Sequence, residues 1–585
     1  MSTLVVAWVV FPIVLLAVTL GCGLALEALA RRPLPLSLVP PVGFAVAVVL
    51  MGFATMTDAT AELAVPLVVA LSIAGFGVGH AGLRRRVEPW AAGAGAAAYA
   101  AYAAPVVASG EATFAGYVKL DDTATWLGML DYALEHGTRV TGLAPSSYEA
   151  MLTFWLGDGY PLGSFLPLGV TRLVDVDPAW TWQPYLAFLA ALLSLVLYQL
   201  VGSVVRSPPL RALVAATASA SALLYGYALW GGVKELYGAV LLGLLAATMS
   251  LAWSGRRRAA LIPVVAASAF LDGLSVAGAI WLVPVAAVVL VQGWRRRRLG
   301  TVALAAVAAL ALALPALVAA PRFVDNANEV ARGSDVNGNL LGPLSPWQLA
   351  GIWPSTDFRV EPEQVRATIV LVGIALAACA LGAVVAYRRR AWSLLVLLAT
   401  GLAGAFVFTV SSGPWIEAKA LAIASPVVLV VALAGGAALV ESRRRVEGAL
   451  VLIALVGGVA WSNALASSDA HLALRGQLAE LEGIGVRYAG DGPSLMTEYQ
   501  PYGVRHFLRR MDPEGASELR RRPVPLRDGR VLGKGETAPI DAFAPTALSV
   551  YRTLVLLRSG PGGVPPAPFR LVKRGRYYDV WRQPG

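Results

Sequence analysis

Long apolar segments, separated by short loops rich in arginine, follow one another from the N-terminus to about residue 467. Each run of about 17 to 25 apolar residues is long enough to cross a hydrocarbon core of roughly 30 Å as a helix. After residue 468 the pattern changes to short β-like runs such as PSLMTEY, YRTLVLLRS and GRYYDVW, separated by turns rich in proline and glycine. These patterns predict an all-α polytopic membrane protein with a small C-terminal α/β domain.

The arginine clusters predict the topology, because short loops rich in arginine stay in the cytoplasm. Seven clusters occur, at Arg31-Arg32, Arg84–Arg86, Arg206 with Arg211, Arg256–Arg258, Arg295–Arg298, Arg388–Arg390 and Arg443–Arg445. An even number of spans must then separate neighbouring clusters, and 14 spans satisfy this condition. They are predicted at residues 4–30, 36–56, 62–82, 88–108, 182–204, 211–230, 236–254, 259–272, 274–293, 300–320, 367–387, 391–411, 418–440 and 449–467.

This topology places both termini and the larger loops on the extracytoplasmic side of a cell membrane. The predicted organisation is three N-terminal spans in residues 1–87, a membrane core in 88–467 and an extracytoplasmic α/β domain in 468–585. The core contains two large outer loops, at 109–181 and 321–366. The outer side therefore has the most room for chemistry.

Composition agrees with a membrane protein and argues against a nucleic-acid partner. The chain of 585 residues is 57% hydrophobic and 14% charged, and its net charge is +11. The arginines lie between spans rather than on one amphipathic surface, so the positive charge reflects topology. Cys22 and Cys379 both fall in apolar runs, which indicates neither a disulfide framework nor a metal site.

Three lysines are placed where positive charge is usually depleted. Only five of the 47 basic residues are lysines, and Lys119, Lys234 and Lys419 fall where a predicted span meets the outer surface. A charge kept there indicates an anionic partner, and a phosphate on a lipid is the natural one at a membrane edge. The alternative is that these side chains reach the outer headgroups and act as lipid anchors.

The acidic pair Asp121-Asp122, in the stretch GYVKLDDTATW, begins the first large outer loop. One carboxylate could act as a general base that takes a proton from an acceptor hydroxyl, while the other orients it or holds a cation. The alternative is that one of them caps a helix predicted at 123–136, which Gly137 would end. A second helix is predicted at 147–156 with a capping box at Ser146 and Glu149, and both helices are expected to lie on the membrane surface.

Further residues are weaker candidates. Trp126, Trp155 and Tyr160 could stack on sugar rings, Glu235 could contact the sugar or the acceptor, and Glu498 is a candidate acceptor contact in the C-terminal domain. No cofactor is certain. A divalent cation that bridges Asp121 or Asp122 to a phosphate remains open, although no third ligand or spacing of histidines predicts a metal site.

The order of these features resembles the GT-C superfamily of integral-membrane glycosyltransferases, which includes aminoarabinose transferases and actinobacterial arabinosyltransferases. The match is carried by the fourth span, by LDD at Leu120–Asp122, by the two helices up to about Leu156, and by the basic segments GGVKELYG and EAKALAIASP. The resemblance covers about residues 88–440 and implies that Asp121 or Asp122 is the base and that the donor is a polyprenyl-phosphate sugar. The three preceding spans and the C-terminal domain depart from the family pattern.

The favoured hypothesis is therefore a hexosyl- or pentosyltransferase that uses this donor to modify an extracytoplasmic glycan, lipid or protein of the cell envelope. The alternatives are a transporter or flippase for lipid-linked sugars or polysaccharide, a polysaccharide polymerase or ligase, and a non-catalytic membrane scaffold. A transporter should carry charges near the middle of the bilayer, whereas nearly all charges here lie at the ends of spans.

Overall fold

A computed structural model describes residues 2–80, 83, 86–117, 119–332 and 337–584. Arg84 and Arg85 of the second basic cluster lie outside the described residues, as does part of the predicted loop at 321–366. The chain forms two compact units. The first contains Met1–Ala54, Glu62–Leu120 and Pro161–Leu472, and the second contains Thr55–Ala61, Asp121–Tyr160 and Ala473–Gly585.

The first unit consists of long apolar helices, which confirms a multi-pass membrane protein. Within the described residues, ten helices are long and apolar enough to span a membrane: Thr3–Ala30, Leu36–Ala54, Asp58–Gly79, Pro178–Val201, Lys234–Trp253, Val276–Arg295, Val365–Arg388, Trp392–Ser411, Pro414–Val440 and Arg445–Ser468. Two bent pairs, Pro208–Ser219 with Ala222–Leu229 and Leu299–Leu312 with Leu314–Asp325, raise the number to 12 if each pair is one span.

The remaining two of the 14 predicted spans correspond to helices that fall short of a full crossing by these measures. Pro89–Val107 is composed largely of alanine and glycine, and Leu261–Leu274 has only 14 residues. A helix or a bent pair is therefore found at each predicted position, while ten to 12 qualify as spans in the described part of the chain.

Small residues allow the N-terminal helices to pack closely. A Cβ atom on Gly43 would lie 1.7 Å from the carbonyl oxygen of Thr19, and one on Gly75 would lie 1.9 Å from that of Gly21. Helices in a membrane gain stability mainly from such close packing, because the lipid provides no hydrophobic driving force between them. A larger side chain at Gly43 or Gly75 would force these helices apart.

The second unit contains a five-stranded sheet, which confirms the predicted α/β domain. Its strands are β1 (Ser494–Met496), β2 (Pro513–Gly515), β3 (Thr553–Leu557), β4 (Arg570–Arg574) and β5 (Tyr578–Arg582). Their order is β2-β1-β3-β5-β4, with β1 parallel to β2 and β3 and the other pairs antiparallel. The unit also contains the helices Asp58–Ala61, Asp122–His136, Ser147–Leu152, Arg475–Arg487 and Pro545–Leu548.

Both helices predicted after the acidic pair are present. Gly137, at a φ of 75°, ends the helix Asp122–His136, and the Ser146 side chain accepts a hydrogen bond from the N–H of Glu149. The expectation that the first helix lies on the membrane surface is wrong, since all 12 residues from Thr123 to Leu134 are buried. A surface helix would expose one face, whereas this helix is enclosed by protein.

Candidate active site

The acidic pair stands at the start of the helix Asp122–His136. Asp121 occupies the N-cap position, but its side chain makes no capping hydrogen bond. The helix-cap alternative therefore does not account for the Asp121 carboxylate. Asp122 is the first helical residue, where a negative charge is favoured by the positive end of the helix dipole.

The Asp121 carboxylate is held through one of its two oxygens. The Tyr499 hydroxyl donates a hydrogen bond to Oδ2, and Arg505 Nη2 and Lys534 Nζ each lie 3.2 Å from that same oxygen. Among the described residues no donor contacts Oδ1, and the side chain is 15% exposed. The arrangement orients the carboxylate and leaves one oxygen available to accept a proton.

Opposing effects set the proton affinity of this group. Burial would raise the pKa of Asp121, but the positive charges of Arg505 and Lys534 and the hydrogen bond from Tyr499 outweigh burial and hold the pKa below its ordinary value. Asp121 is consequently ionised at neutral pH. A proton acceptor must be in this form before it can act.

Arg505 is the central buried cation of the site. It lies in the π-helical turn Gly503–Phe507, its side chain is 6% exposed, and its Nη2 donates to both Asp121 and Glu518. Its Nη1 donates to Thr125 Oγ1 at 3.0 Å. Burial would lower the pKa of Arg505, but the two carboxylates raise it above its usual value. We call Asp121, Tyr499, Arg505, Glu518 and Lys534 the Asp121 cluster.

The three candidate aromatic residues lie together in the second unit. The Trp126 indole N–H donates to the Tyr160 hydroxyl at 2.8 Å, and the Tyr160 ring lies 5.4 Å from the Trp155 ring in an edge-to-face arrangement. Trp126 is buried, whereas Trp155 and Tyr160 are half-buried. Only the latter two could therefore present a ring face to a sugar.

The three candidate lysines lie in the first unit, where two of them flank a row of aromatic rings. Lys119 Nζ is 5.7 Å from the centre of the Trp230 ring, and Lys419 Nζ is 4.6 Å from that of Trp415. Phe358 and Tyr227 continue the row, with centroid separations of 4.6 Å for Trp230 to Phe358, 4.8 Å for Phe358 to Tyr227 and 6.1 Å for Tyr227 to Trp415.

Arg359, which the sequence did not single out, stacks on the Trp230 ring at 4.4 Å. Its guanidinium is paired with Asp357, and the ammonium of Lys119 is paired with Asp469 at 2.7 Å. Lys419 makes no ion pair with any described residue. Two of these three cations are therefore neutralised and one is unpaired. We call the set the cationic–aromatic row; it comprises Lys119, Arg359, Lys419 and the four rings Trp230, Phe358, Tyr227 and Trp415.

Two details differ from the sequence prediction. Lys419 is the sixth residue of the helix Pro414–Val440 and so lies in its second turn rather than its first. Lys234 begins the helix Lys234–Thr248, and Glu235, expected in a loop, lies in the first turn of that helix and is only 3% exposed. A carboxylate so enclosed is poorly placed to contact a sugar.

The surroundings of Asp121 Oδ2 do not suit a divalent cation. No group of three His, Cys, Asp or Glu residues within the described residues is arranged to hold a metal ion. The neighbours of the Asp121 carboxylate are Arg505, Lys534 and Tyr499, which are two cations and a hydroxyl donor. A metal ion at Oδ2 would face repulsion from both cations.

Solved structures of other proteins are distantly similar to the structure of this chain. No protein-family model and no curated protein matches the sequence. The structure is similar to an Archaeoglobus fulgidus oligosaccharyltransferase solved with Zn and sulfate (12% identity, TM-score 0.40, 76% of this chain and 64% of that one). It is also similar to the arabinofuranosyltransferase AftD from Mycobacteria (15%, 0.48, 85% and 40%) and to Cupriavidus metallidurans ArnT bound to undecaprenyl phosphate (12%, 0.41, 83% and 96%).

These structural neighbours are GT-C glycosyltransferases, the superfamily that the sequence resembles. The chain spans less than two thirds of the oligosaccharyltransferase and less than half of AftD. At identities of 12–15% and TM-scores of 0.40–0.48, the function has to be argued from the residues of this chain.

Proposed function

We propose that this protein is a membrane glycosyltransferase that moves a hexosyl or pentosyl residue from a polyprenyl-phosphate donor to an extracytoplasmic acceptor, with Asp121 as the general base. The observation that supports this proposal best is the one-sided anchoring of the Asp121 carboxylate. Its Oδ2 is fixed by Tyr499, Arg505 and Lys534, and its Oδ1 has no donor among the described residues.

The proposed reaction is a substitution at the anomeric carbon of the donor sugar. The acceptor oxygen bonds to that carbon while the bond from the carbon to the phosphate oxygen breaks, and the proton of the acceptor hydroxyl passes to Asp121 Oδ1. The lipid phosphate leaves with the electron pair of the broken bond. Asp121 raises the nucleophilicity of the acceptor oxygen, a contribution typically worth about a hundredfold or more in rate.

The departing phosphate needs positive charge, and we assign this role to the lysines of the first unit. Lys419 is the strongest candidate, because it is unpaired with any described carboxylate and stands above an aromatic ring. Lys119 can contribute only if the phosphate displaces Asp469. Lys234, at the first position of its helix, would add its charge to the positive end of the helix dipole.

The decisive experiment compares Asp121→Asn, Asp122→Asn and the exposed control Asp528→Asn in the purified full-length protein. Asparagine keeps the shape of the carboxylate and removes the base. We expect Asp121→Asn to lower transfer about a hundredfold or more at unchanged expression, and Asp528→Asn to retain full activity. Near-normal transfer by Asp121→Asn together with loss in Asp122→Asn would reassign the base to Asp122. Normal transfer in both would reject the proposal.

One observation favours transport as a second candidate function. The Asp272 side chain is 5% exposed within the first unit, and no side-chain donor among the described residues is hydrogen-bonded to its oxygens. Buried carboxylates of this kind mark ion or proton pathways in transporters. Loss of uptake or flipping of a lipid-linked sugar by Asp272→Asn in proteoliposomes, with transfer unaffected, would support this alternative.

A further inference from the structure

Lys534 is the exposed cation of the Asp121 cluster. Its ammonium lies 3.2 Å from Asp121 Oδ2 and 5.9 Å from the centre of the Tyr499 ring, yet 68% of its side chain is accessible. Ion pairs with so exposed a partner are weak. The contact between Lys534 and Asp121 can therefore be exchanged for another at little cost.

Arg505 cannot make the same exchange. It is almost fully buried and holds two carboxylates, Asp121 and Glu518, the second of which has a side chain only 2% exposed. Withdrawing a cation from buried carboxylates leaves uncompensated charge and is strongly destabilising. When an anion approaches the Asp121 cluster, Lys534 is thus the cation that can turn towards it while Arg505 keeps Asp121 in place.

Hydrogen bonds hold the loop next to Lys534, while the glycines on either side of the lysine leave its own backbone free to rotate. Glu536 accepts hydrogen bonds from the Gly533 N–H and from Arg530 Nη1, both at 2.8 Å. Lys534 itself stands between Gly533 and Gly535, and Gly535 has a φ of 80°, in the region that favours glycine. The lysine can therefore change its direction without rearrangement of the anchored residues.

One further property of the Asp121 cluster bears on an anionic partner, since the second unit as a whole is nearly neutral, with 19 Lys and Arg against 18 Asp and Glu. Within the Asp121 cluster, the buried Arg505 Nε has no hydrogen-bond partner among the described residues. Buried donors are rarely left unsatisfied, so Arg505 retains hydrogen-bonding capacity beyond Asp121, Glu518 and Thr125.

We propose that Lys534 binds an anionic group, a phosphate or a carboxylate, carried by the acceptor, and that Lys534 releases Asp121 as it does so. This inference rests on the proposed function, since it assumes that the acceptor hydroxyl approaches Asp121. It makes the acceptor an acidic glycan or glycolipid rather than a neutral one.

The exchange of partners by Lys534 would also raise the pKa of Asp121. The groups that face this carboxylate are Arg505, Lys534 and Tyr499, with Glu518 behind Arg505. Moving Lys534 to an incoming anion removes one of the charges that hold the pKa of Asp121 down, and the anion itself raises that pKa further. Asp121 becomes a stronger base only when an acidic acceptor is in place.

Binding to the full-length protein in detergent, measured without any donor, tests the proposal. The probes are inorganic phosphate, glucose 6-phosphate, glucuronate and glucose. Lys534→Met should weaken binding of the anionic probes about two- to fivefold, as expected for an exposed ion pair, and Lys534→Arg should retain it. Lys573→Met, which removes a lysine from β4 of the same unit, is the matched control and should bind like the wild type.

Asp121→Asn provides the opposite perturbation. Because it removes the resident partner of Lys534, it should tighten binding of the anionic probes two- to fivefold, and the double variant with Lys534→Met should lose this gain. A preference for phosphate or for carboxylate in these titrations identifies the anionic group. Equal anion binding by the wild type, Lys534→Met and Asp121→Asn would overturn the inference, whether or not the protein transfers sugar. Conversely, the binding result stands even if Asp121 proves not to be the base.

Discussion

The ammonium of Lys119 lies 2.7 Å from a carboxylate oxygen of Asp469, although 350 residues separate the two in the chain. The Lys119 side chain is only 11% exposed, so this ion pair is largely shielded from water. The charge that the sequence marks as a phosphate ligand is therefore already neutralised by the protein. This contact makes Lys119 less available to a phosphate than an unpaired lysine is, because a phosphate would have to displace Asp469 to reach Lys119.

Lys419→Met should weaken binding of a polyprenyl phosphate more than Lys119→Met does. Lys419 has no carboxylate partner among the described residues, so its full charge is available to a ligand. A charge-assisted contact at a partly desolvated site is worth about 1.5–3 kcal/mol, or roughly tenfold to a hundredfold in affinity. Titration of each variant in nanodiscs gives the ranking, and Lys573→Met serves as control.

Lys419→Arg separates a phosphate ligand from a lipid anchor. A headgroup anchor should accept arginine without loss, while a site shaped for a compact ammonium should accept its planar fork only in part. If Lys419→Met and Lys419→Arg both bind the lipid phosphate as the wild type does, Lys419 is an anchor and the assignment of the donor phosphate to it fails.

Gly128→Ala should disrupt the Asp121 cluster from a distance. A Cβ atom at Gly128 would lie 2.2 Å from the carbonyl oxygen of Arg505, so the helix that begins at Asp122 and the turn that carries Arg505 would be pushed apart. Overpacking of this kind costs about 1–3 kcal/mol. We expect a lower Tm and a loss of transfer. The control is Gly483→Ala, in the helix Arg475–Arg487, where the added methyl group meets open space and should be neutral or stabilising.

Glu498 should make the second unit less stable at alkaline pH. Burial raises the pKa of Glu498 to about 7, and the opposing effects of Tyr578 and the nearby backbone N–H groups do not cancel this rise. Since the folded-state pKa is raised above the unfolded value, the stability from the protonated form is fully present below about pH 4.5, is lost as pH rises from there through about 7, and changes little above that. The loss is up to about 3 kcal/mol, at 1.36 kcal/mol per pKa unit.

Thermal unfolding between about pH 4 and 9, in buffers about one pH unit apart, measures this effect. Glu498→Gln remains neutral throughout and should flatten the decline between about pH 4.5 and 7, and it should be more stable than the wild type above about pH 8 by about the same margin. Glu482→Gln, a half-buried position on the helix Arg475–Arg487, should leave the decline unchanged. A wild-type Tm that does not fall between about pH 4.5 and 7 would contradict the assignment of a neutral carboxyl to Glu498.

The spans and the C-terminal sheet could be predicted because their causes are local. Apolar runs of sufficient length, arginine in short loops and short β-like runs between turns are all visible within a window of about 20 residues. The cap at Ser146 and the stop at Gly137 are equally local and are found where predicted. The bends at Ala220 and Ala313 account for the range of ten to 12 spans, and the helices Pro89–Val107 and Leu261–Leu274 account for the two predicted positions that do not qualify.

The partners of Asp121 could not be predicted for the opposite reason. Tyr499 and Arg505 are 378 and 384 residues away in the chain, and no spacing rule connects them to an acidic pair. Nothing in the sequence distinguishes Arg505 from the other arginines of the C-terminal segment. The burial of the helix Asp122–His136 was missed for the same reason, since its covering surface comes from distant parts of the chain.

The topology can be checked by labelling single cysteines in a variant that lacks Cys22 and Cys379. Ser559→Cys, an exposed position in the C-terminal domain, should react with an impermeant reagent added outside, and Ser442→Cys, an exposed position directly before the last arginine cluster, should not. Permeabilised cells, in which both positions should react, provide the control. Labelling of Ser442→Cys alone from outside would invert the topology and place the Asp121 cluster in the cytoplasm.

Arg505→Lys should impair transfer without weakening donor binding. The substitution keeps the positive charge that Asp121 and Glu518 require, so the fold should be preserved. Arg505→Met would instead leave the two carboxylates without their shared cation, at a cost of about 3–5 kcal/mol. The compact ammonium of lysine cannot reproduce the planar guanidinium group, whose nitrogens reach Asp121, Glu518 and Thr125 together. Asp121 would then be less firmly oriented, and misplacement of a reacting group by about 1 Å can cost about a hundredfold in rate.

The measurement is kcat and donor KM for Arg505→Lys across the pH range. A positioning role predicts a fall in kcat at unchanged donor KM, together with an acidic limb of the pH–rate profile at higher pH, because a weaker contact with Arg505 allows the pKa of Asp121 to rise. Arg509→Lys is the matched control, since Arg509 is close by in the chain and pairs with Asp131 rather than with Asp121. If Arg505→Lys and Arg509→Lys lower kcat equally and leave the acidic limb in place, Arg505 serves the stability of the second unit and does not position the base.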